Sequence, residues 1–184
     1  GIPNAARDAR LLAAHVFEID TSQVTLHEMD QVGEAAIAQF DNAITHRLNH
    51  RPVSRIIGER QFWGRKFQIT DDVLDPRGDT ETLIAAALKS PAKRILDLGT
   101  GSGILGITLA AELVDAYVVV TDISKAALAV AKNNAQRHCV EDRIDFRQSD
   151  WFDSLHGEFD LIISKSLNTR GCSSFDLDLG VSIR

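Results

Sequence analysis

An acid followed by alternating glycines is the part of this chain best suited to chemistry: Asp97, then Gly99, Gly101 and Gly103, within Arg94-Ile95-Leu96-Asp97-Leu98-Gly99-Thr100-Gly101-Ser102-Gly103. The residues up to Leu98 read as a buried strand, and the run after Gly103 reads as a helix. Glycines let the joining loop turn through positive φ, and without a Cβ they present bare backbone N–H groups to a small ligand. A carboxylate at the strand end suits a ligand with an amine or a positive centre better than one that brings only phosphates. Gly101, Gly103 and Gly106 also fit the G-x-G-x-x-G spacing of dinucleotide sites, so the loop alone leaves the ligand open.

A second acid narrows the choice. Tyr117-Val118-Val119-Val120-Thr121 reads as another buried strand and ends in Asp122, where a carboxylate can accept both ribose hydroxyls of an adenosine. A helix N-cap is the competing role for Asp122, although Ser124, just before Ala126-Ala127-Leu128, fits the cap better. Strand, glycine turn, helix and strand-end acid together point to a nucleoside-containing cofactor.

Asp97 to Gly103, Thr121-Asp122-Ile123-Ser124, Asn133-Asn134-Ala135 and Ser149-Asp150-Trp151-Phe152 together resemble the S-adenosylmethionine domain of the HemK/PrmC family. These methyltransferases modify a glutamine side-chain amide in peptide chain release factors. Upstream, Ile57-Gly58-Glu59-Arg60-Gln61-Phe62-Trp63-Gly64 and Val73-Leu74-Asp75-Pro76-Arg77-Gly78-Asp79-Thr80-Glu81 resemble the family's interdomain hairpin and the start of its catalytic domain. The likeness runs from about residue 8 to residue 164 and implies S-adenosyl-L-methionine as cofactor and a release factor as protein substrate. It assigns cofactor binding to Asp97, Gly99, Thr100, Gly101, Ser102, Gly103, Asp122, Asp150 and Trp151. Asp150 would accept from the adenine amine and Trp151 would pack on its ring; plain core burial beside Phe152 is the alternative for Trp151.

The chain departs from the family in three places. Asp75 stands where the family has an apolar residue and Gly78 where it has a proline, changes that would loosen the entry to the domain without touching the cofactor loop. After Phe159-Asp160-Leu161-Ile162-Ile163-Ser164 the family places Asn-Pro-Pro-Tyr, whereas this chain reads Lys165-Ser166-Leu167-Asn168. In the family the asparagine side chain and a prolyl carbonyl accept the substrate amide N–H groups. Lys165 cannot replace them, because an ammonium only donates. The catalytic residues are therefore left unassigned.

Residues 165 to 184 show neither a helical period nor a clean strand, and the family continues with further strands beyond this point. Phe159 to Ile163 is then expected to be an apolar edge strand, open to aggregation or to pairing with another chain. A reading-frame shift accounts for the change of character. One back-translation of Lys165 to Cys172, with its first base dropped, gives Asn-Pro-Leu-Ile-Arg-Glu-Asp, which partly restores the motif. A diverged tail with a fold of its own is the alternative.

With 184 residues, 44% of them hydrophobic, the chain can bury a substantial core as one domain plus a smaller one. A formal net charge of -6 argues against a general nucleic-acid binder and so against the related base-amine methyltransferases, leaving nucleic acid only indirectly, through the ribosome. Arg47, Arg51, Arg55, Arg60, Arg65 and Lys66 form the one basic stretch, either a solvated linker face or a contact for RNA or an acidic partner. Cys139 and Cys172 lack metal or redox spacing and read as reduced thiols, and no metal site is expected. The scattered histidines read as surface or helix-end residues. There is no apolar run of membrane-spanning length and no signal-peptide pattern, so the expected location is cytoplasmic.

Apolar residues recur at helical spacing from Ala5 to Phe17 (Ala6, Leu11, Leu12, Val16) and from Val32 to Leu48 (Ala36, Ile37, Phe40, Ile44, Leu48). This predicts a small N-terminal helical bundle over residues 1–58, a module without a glycine loop or convergent acids and so suited to docking the substrate. Residues 59–75 form a β-hairpin linker turning at Gly64-Arg65, with Phe62, Trp63 and Phe67 as its packing face. Residues 76–164 form the S-adenosylmethionine-binding domain, followed by an aberrant tail, 165–184. The pattern helix 79–89, strand 93–98, helix 103–113, strand 117–121, helix 124–138, strands 143–147 and 158–164 predicts a Rossmann-like class I methyltransferase domain. This is an α/β fold with a doubly wound parallel sheet, incomplete at its C-terminus. Its ligand lies outside the carboxyl ends of the strands.

Three functions stand open: a glutamine methyltransferase impaired by the missing motif, a non-catalytic remnant that binds cofactor or release factor, and an NAD-dependent dehydrogenase permitted by the glycine spacing. Asp97 and Ser149-Asp150-Trp151 speak against the last. Sequencing the coding DNA from the codon for Asp160 onward tests the frame-shift expectation. An alternative frame encoding Asn-Pro-Pro-Tyr bears it out, and an unbroken frame through residues 165–184 contradicts it.

Overall fold

Apolar residues three and four apart draw the first helices together, Ala5–Val16 (α1) and Glu34–Leu48 (α2). The computed structural model describes residues 1–75 and 80–165, with the backbone of 182–183, and divides into two compact units, 1–60 and 61–184. In the first unit Leu12, Ala14 and Ala43 are buried, and the rings of Phe17 and Phe40 lie 5.7 Å apart. Arg47 Nε donates to Asp8 Oδ2 at 2.7 Å, tying α2 to α1. A short helix, Val53–Ile57 (α3), which the sequence pattern did not single out, follows Pro52. The expected apolar faces hold only in part. Leu12 is fully enclosed, but Ile37 and Leu48 remain 45% and 63% exposed, because three short helices offer too little surface to cover every apolar side chain.

Glu59–Phe62 (β1) and Arg65–Gln68 (β2) form the hairpin. Its turn is Trp63-Gly64, one residue earlier than expected, with φ of 49° and 71°. Two positive φ values give a two-residue loop the twist that continues into the strands. Phe62 and Phe67 are buried with their rings 6.3 Å apart at 76°, and Trp63 is partly buried against the same core, which makes the three residues the hairpin's packing face.

Thr80–Ala87 (α4) leads into the sheet domain; of the two early departures from the family pattern, Gly78 lies outside the described residues. Then follow Arg94–Leu98 (β3), Ile104–Glu112 (α5), Tyr117–Asp122 (β4), Lys125–Arg137 (α6), Ile144–Gln148 (β5), Leu161–Ser164 (β6) and Ser182–Ile183 (β7). The sheet order is β5-β4-β3-β6-β7, with β3, β4, β5 and β6 parallel and β7 antiparallel. The chain moves outward from β3 to β5 and then returns to the other side of β3. The gap where the order reverses, at the carboxyl end of β3, is where such sheets take ligands.

Alternation along the strands assigns the two faces. Ile95, Val118 and Val120 join the core that holds Ile107 and Leu109 of α5, while Leu96, Leu98 and Val119 face the other way against Leu155, Phe159 and Ile162. Both crossover helices lie on one face, as right-handed connections in a single direction require. The opposite face is covered, among the described residues, by the segment between β5 and β6.

Two expectations for the end of the chain are corrected. β6 is not an open edge over its whole length, and the tail is not devoid of strand: Leu161 pairs with Ile183 and Ile162 with Ser182. A strand with one unpaired row of backbone groups accepts any extended segment within reach, and here the chain supplies its own. The other tail residues beyond Lys165 lie outside the described set.

The first unit's thin core makes a clear prediction. Leu12→Ala should cost about 2–5 kcal/mol in denaturant unfolding, whereas Leu48→Ala should stay within about 0.5 kcal/mol. Equal costs would contradict this packing.

Candidate functional site

The loop from Gly99 to Gly103 leaves β3 and enters α5 with all three glycines at positive φ: 67°, 56° and 82°. The expected bare amides are mostly not bare. Thr100 N–H donates to Thr121 C=O at 2.8 Å, Gly101 N–H to Asp122 Oδ2 at 2.9 Å, and Gly103 N–H to Thr100 C=O at 2.9 Å. The loop spends these donors on holding its own shape against the end of β4, since a tight turn with unpaired buried amides would cost more. The glycines also divide in purpose. A Cβ on Gly103 would lie 2.5 Å from Ile107 Cδ1 and 3.0 Å from Ala131 Cβ, so its missing side chain admits α6; around Gly101 the same position meets nothing within 4 Å. Gly101 is the loop's open face.

Asp97 is fully buried. Its Oδ2 accepts from the Thr100 hydroxyl at 2.6 Å and from Gly106 N–H at 3.0 Å, in the first turn of α5. Gly106 is required there, because a Cβ would come within 2.6 Å of Val120 Cγ1 and 3.1 Å of that same oxygen. Asp97 Oδ1 is buried and has no hydrogen-bond partner among the described residues. Burial pushes the carboxyl up to about 6; the Thr100 and Gly106 hydrogen bonds pull it down, and the neighbouring Asp122 charge adds to the rise. A buried carboxylate oxygen with spare acceptor capacity suits a cationic donor such as an ammonium.

Asp122 ends β4 facing the loop. Oδ2 holds Gly101, and Oδ1 accepts from Ser124 N–H at 2.9 Å. Ser124, not Asp122, caps α6, its Oγ accepting from Ala127 N–H at 3.2 Å. Each carboxylate oxygen keeps a further lone pair for a ligand hydroxyl. Ser149 N–H donates to Asp122 C=O at 3.1 Å, bringing Asp150 and Trp151 to the same end of the sheet. Ser149 Oγ, bonded to Trp151 C=O and Ser154 N–H, shapes a turn in which Trp151 has φ of 47°. Trp151 and Phe152 are 51% and 54% exposed, so core burial is excluded as the role of Trp151. The hydroxyl of Thr100 is spent on Asp97, and Ser102 is buried.

One participant escaped the sequence reading. Asn134, quoted only as part of a motif, is completely buried, and its Nδ2 donates to Ser102 C=O at 2.8 Å. A signal was present: Ala127, Val130, Ala131 and Ala135 mark the buried stripe of α6, and Asn134 is the one polar residue in it. Lys165, where the family has asparagine, follows Ser164, whose Oγ donates to Leu98 C=O at 2.9 Å, and its Nζ donates to the Thr80 hydroxyl. No group of three or more His, Cys, Asp or Glu that could hold a metal ion occurs among the described residues.

Fold and site together define a methyltransferase domain, and residues 72–166 match the family model described as Methyltransferase small domain. Residues 1–58 match the PrmC N-terminal domain. The chain is 49% identical over 164 residues to the release factor glutamine methyltransferase of Cereibacter sphaeroides, covering 89% of this chain and 59% of that protein. It is 40% identical over 167 residues to the enzyme of the same name from Rhodospirillum rubrum, covering 89% and 51%. The chain thus spans between half and three-fifths of these two relatives. Among solved structures it is similar to an RNA methyltransferase from Salinibacter ruber in complex with S-adenosyl-L-homocysteine, at 26% identity over 52% of this chain and 61% of that one, with a TM-score of 0.46. The chain belongs to the PrmC/HemK family of release factor glutamine methyltransferases, which removes the dehydrogenase alternative left by the glycine spacing.

Asp97 supplies a pH test. Its folded-state pKa lies above the ordinary 3.8, so the folded protein holds this proton more tightly than the unfolded chain. Its contribution to stability is complete below about pH 4 and is lost as pH rises to about 6, by up to roughly 3 kcal/mol. Urea unfolding at pH 4, 5, 6 and 7 should show Asp97→Asn gaining on the parent across this window. Parallel pH profiles would contradict the assignment.

Proposed function

We propose that this chain binds S-adenosyl-L-methionine at the Gly99 to Gly103 loop, as the cofactor-binding part of a release factor glutamine methyltransferase, and that as written it transfers little or no methyl. The observation that carries the cofactor reading is the pairing of a buried, partly unpartnered Asp97 carboxylate with Asp122 across an open Gly101. These residues fit the group. Asp97 Oδ1 would take its ammonium, Asp122 its ribose hydroxyls, Asp150 its adenine amine, and exposed Trp151 its ring. S-adenosyl-L-methionine supplies an electrophilic methyl on a positively charged sulfur.

The chain's own task would be to hold a glutamine amide nitrogen in line and to localise its lone pair through acceptors for its N–H groups, since a neutral amide is a poor nucleophile. Lys165 offers only donors at the position where the family has the first of those acceptors, and its ammonium is engaged with Thr80. That contact favours the binding-only reading over full activity. Residues 1–58 would dock the release factor in the cytoplasm, with residues 59–75 as linker and 76–164 as cofactor domain.

Calorimetric titration with S-adenosylhomocysteine should show binding, and Asp122→Ala should weaken it by roughly tenfold or more, as expected for losing charge-assisted hydrogen bonds. A methyl-transfer assay with a release factor should give little or no product. Undetectable S-adenosylhomocysteine binding would sink the cofactor reading, and methylation at a relative's rate would sink the proposed impairment.

A further inference from the structure

We propose that Asn134 is a positioning residue that locks the cofactor loop to the hairpin strand β2, so that the two are held in place together. The inference rests on the reading of the loop as the cofactor site. Asn134 Oδ1 accepts from Gln68 N–H at 2.7 Å, and its Nδ2 donates to Gln68 C=O at 3.1 Å and to Ser102 C=O at 2.8 Å. The side-chain amide pairs with both backbone groups of Gln68 as a neighbouring strand would, and it spends its remaining N–H on the loop. This pattern needs two donors and one acceptor on a short, rigid stem, which asparagine supplies. Aspartate has the same shape and no donor, so it would set an oxygen against two carbonyls.

The rest of the α6 face reinforces the link. Ala131 stands where Gly103 has no Cβ, and Ala127 and Val130 cluster with Ile69 and Val73, just beyond β2. His138 Nε2 meets Lys66 C=O at 3.0 Å, one residue before buried Phe67. Helix α6 is therefore a rigid spacer with the loop and the hairpin strand fastened to the same stripe. Whatever fixes Ser102 must also steady Gln68, and the coupling is reciprocal.

Hydrogen exchange with and without S-adenosylhomocysteine tests this. In the unaltered chain, saturating ligand should slow exchange of the Gln68 amide together with the loop amides. Asn134→Asp should weaken S-adenosylhomocysteine binding by roughly tenfold or more and leave Gln68 exchange indifferent to ligand. Ala129→Gly, at an exposed position of the same helix, should lower the melting temperature with no change in affinity, which separates positioning from general loss of stability. Affinity unchanged in Asn134→Asp overturns the proposal, as does a Gln68 amide that ignores a ligand protecting the loop. The second measurement decides alone if Asn134→Asp does not fold. If the unaltered chain binds no S-adenosylhomocysteine, the cofactor reading fails first, and this inference falls with it.

Discussion

A carboxylate sealed beneath the first turn of a helix is the constraint around which this domain is built. Asp97 has to lie on the central strand β3, between β4 and β6, on the face that α5 covers. Its Oδ2 is met there by the Thr100 hydroxyl and by the N–H of Gly106, where a Cβ would strike Val120 Cγ1 and crowd the carboxylate. Burial of an ionisable group opposes folding, and two hydrogen bonds offset only part of that penalty. A apolar residue would fit the strand better. Unfavourable placement of this kind is characteristic of sites kept for binding or chemistry.

The glycine loop follows from the same geometry. It must leave β3 beside Asp97, return into α5 at once, and still present an open face, so its amides are tied to Thr121 and Asp122 of β4 rather than left for the ligand. Under the proposed reading, ligand contacts would then fall to the surrounding acids and to the open space at Gly101. On that reading such a site would discriminate by charge, taking a cationic adenosine derivative and resisting a diphosphate, which would meet two carboxylates where a phosphate site offers bare amides. At the end of β6 the polarity is reversed, with a lysine donor in the place of the family's asparagine. Under the proposed reading, one half of the active site is intact in its chemistry and the other is not.

Much of this was legible in the residues. The apolar runs at Ile95-Leu96 and Val118-Val119-Val120, with helices and strands alternating from residue 79 onward, identified the parallel sheet, because buried strands and helical spacing leave strong signatures. The missed parts depend on distance in sequence. No local pattern says that Asp122 will bond Gly101 or that Asn134 will reach Gln68, 66 residues away. The hairpin turn shifted by one residue because Trp63, a poor choice for positive φ, is held there by packing that its neighbours in sequence do not reveal. Likewise β7 reached β6 from a segment with no strand pattern of its own, recruited by an unpaired edge.

The most direct test of the account is a crystal structure of the chain with S-adenosylhomocysteine. The ligand is expected over Gly101, its amine bonded to Asp97 Oδ1 and its ribose hydroxyls to Asp122. A ligand whose amine is held elsewhere while Asp97 Oδ1 stays unpartnered would contradict it.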